Sequence, residues 1–65
     1  MPKYLLQAPR GMFRVILAEA GDELLIGDFD SYREACLAAA RKVETSENLL
    51  RIYDDAGNQL GQLGR

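Results

Sequence analysis

Only one stretch of this chain has the spacing of a helix. In SYREACLAAARKVE, residues 31–44, apolar side chains recur at i, i+3 and i+4, so Tyr32, Ala35, Cys36, Ala39, Ala40 and Val43 share a stripe. Arg33, Glu34, Arg41 and Glu44 fall on the far side. Ser31 with Glu34 three places later is a capping box: the hydroxyl can accept from a first-turn amide while the carboxylate reaches back to the cap. The other apolar runs follow the period of two that belongs to strands. A single helix covers one side of a sheet, and this fixes the question that the sequence poses: what covers the other side?

The strand segments are short and separated by turn residues. KYLLQ (residues 3–7) ends at APRG, where Pro9 and Gly11 break the run. Residues 12–18 are rich in β-branched and aromatic side chains, and Gly21-Asp22 suits a tight connection to residues 23–29. These three segments are expected to form an antiparallel meander. After the helix, LLRIY leads into DDAGN, a turn composition that returns the chain as residues 59–63. The expected fold is α+β: one domain over residues 1–65, an antiparallel sheet of about five strands in the order β-β-β-α-β-β, with one helix packed on one face.

With the helix on the side carrying Tyr4, Leu6, Phe13, Val15, Leu17, Leu24, Ile26, Leu50 and Ile52, the core is accounted for. The opposite parity presents Leu5, Met12, Ile16, Leu25, Leu49 and Tyr53, interrupted by Arg14 and Arg51. A sheet face in water ordinarily alternates with polar residues. A broad exposed apolar patch marks an interface. Met12, Arg14, Ile16, Leu25, Leu49 and Tyr53 are therefore the expected partner-binding residues, joined by Leu37, an apolar residue on the outer helix face. The simplest partner is a second copy, because two-fold dimers are the commonest assembly.

Size argues the same way. A chain of 65 residues buries only about 60% of the surface it exposes when unfolded, and small domains supplement such cores with disulfides, metals or association. The one cysteine, Cys36, cannot bridge internally, and with no histidine the mixed Cys and His zinc patterns are missing. Association is the supplement that remains.

Eight basic and ten acidic residues, interleaved along the chain, give a net charge of −2 and no basic footprint. The apolar run at residues 4–6 is too short for a signal-peptide core or a membrane span, so a soluble, cytoplasmic protein with no membrane partner is expected.

Residues that could carry chemistry have plainer roles. Cys36 lies mid-helix on the apolar stripe, where a small buried hydrophobe is expected rather than a nucleophile. Asp54, Asp55 and Asn58 crowd a turn with Gly57, yet lack the alternating ligands and distal glutamate of a calcium loop. Asp28 and Asp30 precede the helix, where negative charge is favourable. The glycines form no phosphate-binding pattern. No enzyme, cofactor or metal is expected.

Nucleic acid is the alternative partner. Lys3, Arg10, Arg14 and Arg51 share the helix-free face, and Arg14 and Arg51 with Tyr53 could contact phosphates and stack on a base. The acidic balance and the apolar neighbours of those arginines disfavour it.

Taken together, KYLLQ, GMFRV, FDSYREA, AAARK and LLRIYDDAGN resemble a family of very short bacterial and phage proteins known only as a domain of unknown function. Phe13, Phe29, Ser31, Glu34, Ala35, Ile52 and Gly57 match it as core, cap and turn residues; Phe13 stands where the family has tryptophan. The resemblance implies a curved antiparallel sheet with one helix packed on it and a gene of the accessory or mobile-element kind, and carries no catalytic or ligand residue. The expected function is that of a non-catalytic interaction module, self-associating and binding a protein partner through its apolar sheet face.

Overall fold

The structure, a computed structural model, describes residues 6–19, 22–45 and 48–64. Two strands, β1 (Phe13–Glu19) and β2 (Asp22–Phe29), precede helix α1 (Tyr32–Glu44), and two follow it, β3 (Leu49–Tyr53) and β4 (Gln59–Leu63). They form a four-stranded antiparallel sheet in the order β2-β1-β3-β4. The helix connects one edge strand to the inner strand on the far side of β1.

Two expectations change. The sheet has four strands among the described residues, where about five were expected. Of the strand read at residues 3–7, residues 3–5 lie outside the described residues, while Leu6 falls in a short turn and Gln7 in a bend. The expected meander gives way to β2-β1-β3, because β3 takes the second long edge of β1: Arg14 stands opposite Tyr53, Val15 opposite Ile52 and Leu17 opposite Leu50. Leu6, expected in the core, lies instead beside Gln7, Ala56 and Gly57.

The helix begins as its capping sequence requires. Ser31 has an extended backbone, and its Oγ accepts from the Glu34 N–H at 3.1 Å. Arg41 and Lys42 occupy the last turn, where positive charge complements the helix dipole. Ala35 and Ala39, both fully buried, let the helix axis approach Val15, Leu17, Leu50 and Ile52, and Phe13, Ile26, Phe29, Cys36, Val43 and Leu63 pack around this centre. Tyr32 closes one end, its ring meeting Phe13 edge-on at 6.1 Å.

A bulge re-phases β2. Val15 pairs with Gly27 but Ile16 with Leu25, so Ile26 is an extra residue on β2. Strict alternation would put Asp28 on the helix side with Leu24 and Ile26; the bulge instead sets Gly27 and Phe29 there, opposite Val15 and Phe13, while Leu24, expected in the core, is 56% exposed. The Phe29 ring lies 3.3 Å from where a Cβ on Gly27 would stand, so the glycine makes room for the aromatic ring.

Candidate interaction surface

On the side away from the helix the register builds three rows. Arg14 stands between Asp28 and Tyr53, Ile16 between Leu25 and Arg51, and Ala18 between Glu23 and Leu49. On β4, Gln62 lies opposite Arg51 and Gln59 opposite Tyr53, and the two glutamines are joined at 3.3 Å from Gln59 Nε2 to Gln62 Oε1. Five of the seven expected contact residues, Arg14, Ile16, Leu25, Leu49 and Tyr53, thus gather on this face, and Met12 lies just before β1. Leu37 does not join them, because it lies on the helix.

The face is less bare than parity alone implies. Leu25 is 43% exposed, Met12 and Leu49 are half-buried, and Ile16 and Tyr53 are buried at 1% and 5% exposure. Ile16 and Tyr53 are therefore floor rather than contact points. Part of the cover is residues 6–12, which double back on the end of β3. The Ala8 N–H donates to the Asp54 carbonyl at 3.0 Å, Gln7 Nε2 to the Asp55 carbonyl at 2.8 Å, and the Gly11 N–H to Asp55 Oδ2 at 2.8 Å. Gln7, Ala8 and Pro9 share a hollow with Arg14, which places them over this end of the face.

Of the two arginines on the face, Arg14 is firmly paired and Arg51 only loosely so. Arg14 holds Asp28 with a two-pronged contact, Nε to Oδ1 at 2.7 Å and Nη2 to Oδ2 at 3.0 Å. Hydrogen bonding to Asp28 raises the Arg14 pKa above its usual value, against the opposing effect of burial. Arg51 Nη1 lies 4.0 Å from Glu23 Oε2, and its covered Nε finds no acceptor among the described residues.

The turn after β3 keeps its carboxylate for itself. Asp54 Oδ1 accepts from the N–H groups of Ala56 (3.0 Å) and Asn58 (2.8 Å), and Gly57 adopts a positive φ of 85°. Among the described residues no group of three or more His, Cys, Asp or Glu side chains is placed to hold a metal ion. No helix among them is long and apolar enough to cross a membrane.

A second surface emerges only in three dimensions. Between α1 and β4 runs a groove of about 460 Å³, walled by Tyr32, Cys36 and Leu37, floored by Ile52 and edged by β4 from Gly61 to Leu63, with Arg33 at its rim as its one charged residue. The Tyr32 hydroxyl donates to the Leu60 carbonyl at 3.5 Å and stands 2.5 Å from where a Gly61 Cβ would be. The neighbouring Cys36 thiol holds the phenol above its usual pKa. Reasoning from the sequence passed over Leu60, Gly61 and Leu63. The available signal was a glycine inside an uncharged strand, which marks close approach by another group. The other flank of the helix has a hollow of about 540 Å³ whose rim mixes Glu34 with Arg41 and Lys42 and selects no one charge.

Comparison with protein-family models, curated proteins and solved structures finds no match to this chain.

Proposed function

We propose that the chain is a non-catalytic interaction module that self-associates and presents its helix-free sheet face to a protein partner. The observation that carries this reading is the state of the arginines. With Arg14 committed to Asp28 and Arg51 beside Glu23, what the face offers is the apolar surface of Leu25, Met12 and Leu49 around a buried Ile16 floor. Apolar area rimmed by charge is the composition of a protein-binding patch. The chain has no histidine, which removes the commonest general base.

The test is direct. Leu25→Glu places a charge on the exposed part of the face and is expected to leave a folded chain that no longer captures the partner. Ile16→Glu is unsuitable, because that side chain is buried and the variant would report on folding. Retention on heparin at low salt, falling steeply as salt is added, would instead support a nucleic-acid partner held through Arg14 and Arg51.

A further inference from the structure

The two edges of the sheet are built differently. Edge strand β2 carries Asp22, Glu23 and Asp28 and is bent by the bulge at Ile26, devices that discourage pairing with another chain. Edge strand β4 reads Gln59-Leu60-Gly61-Gln62-Leu63, with no charge and no proline. It has one extra residue, Leu60, because Ile52 pairs with Gly61 and Tyr53 with Gln59; residues 61–63 are regular. Five large apolar side chains are exposed among the described residues, and three of them, Tyr32, Leu37 and Leu60, stand along the β4 side of the molecule.

We infer that β4 is the seam through which two copies associate, pairing antiparallel with β4 of a second copy about a two-fold axis at Gln62. Four strands from each copy would then make one sheet of eight. The register selects a second copy as the occupant. Gly61 and Leu63 lie on the helix side of β4, opposite Ile52 and Leu50, and Gln62 lies on the other side, opposite Arg51. With the axis at Gln62, Gly61 of each chain faces Leu63 of the other, and cross-strand neighbours share a face. Each Leu63 then leans over Gly61 against the Tyr32 ring, whose hydroxyl fills the place of the missing side chain, at the rim of the groove. The same contact is made twice, as an isologous interface requires. The two Gln62 amides meet on the opposite side, where each can donate and accept.

Charge supports the same choice. Each chain carries −2, so two copies meet best along a neutral strip, and β4 is neutral over all five residues. A 65-residue chain with so small a core also gains from sharing apolar area. The inference rests on the self-association half of the proposed function and is independent of the sheet face.

Sedimentation equilibrium of the full chain with charge-swapped variants tests it. Gln62 is exposed, so Gln62→Glu and Gln62→Lys should both fold. Alone, each sets like charges against each other at the axis; Gln62→Lys, which adds to the charge of Arg51 opposite it, is expected to weaken self-association roughly tenfold or more, and Gln62→Glu, partly neutralised by Arg51, by less. Mixed in equal amounts, the two variants are expected to associate again, and labelling of the Cys36 thiol should slow as the mixed dimer covers the groove. Dimerisation unaffected by either Gln62 variant overturns the seam. Loss of the dimer in Leu25→Glu with the Gln62 variants still dimeric also overturns it and leaves the sheet face as the contact. A strict monomer at high micromolar concentration overturns both the seam and the self-association on which it rests.

Discussion

Ile52 joins every layer of this protein. It is buried on the inner side of β3, pairs with Val15 on β1 and Gly61 on β4, packs under the Ala35 and Ala39 stripe, and floors the groove beside β4. Ile52→Ala is expected to cost about 2–5 kcal/mol, since neither a rigid sheet nor a closely packed helix can collapse on the void. Urea denaturation, with the midpoint lowered at an unchanged slope, checks this. Ala39 has the opposite vulnerability. Ala39→Leu adds volume where helix and sheet already touch, and a loss of about 1–3 kcal/mol is expected in the same experiment. Both residues were placed in the core by periodicity alone. Ile16, assigned to the open face by the same rule, is buried as well, because Leu25 and Arg51 flank it in the sheet.

The helix and the β3–β4 turn are specified by local hydrogen bonds, and each can be tested separately. Ser31→Ala removes the acceptor for the Glu34 N–H and is expected to cost about 1 kcal/mol, read from thermal unfolding by far-UV circular dichroism. In the turn, hydrogen bonds led by the Asn58 N–H hold the Asp54 carboxyl below its usual pKa. A carboxyl with a lowered folded pKa contributes its full stability above the unfolded value and loses it as pH falls through the folded one. Unfolding free energy should therefore decline as pH drops from about 4, and the decline should be shallower in Asp54→Asn. An equal slope in the two proteins would show that the turn does not feel this charge. The cap and the turn residues were legible because such bonds span four residues or fewer. The bulges at Ile26 and Leu60 were not, since each exists only in the register that its strand takes against a partner strand.

As an assembled object, the protein has one face covered by its helix, one face partly covered by residues 6–12 and by its own ion pairs, and one uncharged edge. Leu25→Glu and the Gln62 pair therefore address different surfaces, and their effects on association should be separable. What could be read along the chain was the inventory: one capped helix, strands of period two, a glycine-bearing turn, and no basic footprint. These follow from interactions between residues a few places apart, which the order of amino acids specifies directly. Strand order, the bulges, the burial of Ile16 and Tyr53, and the groove beside β4 follow from which segments become neighbours. That choice depends on how the whole apolar surface is buried at once, and β3 took the edge of β1 that the linear reading had given to residues 3–7 because Leu50 and Ile52 there complete the layer beneath the helix.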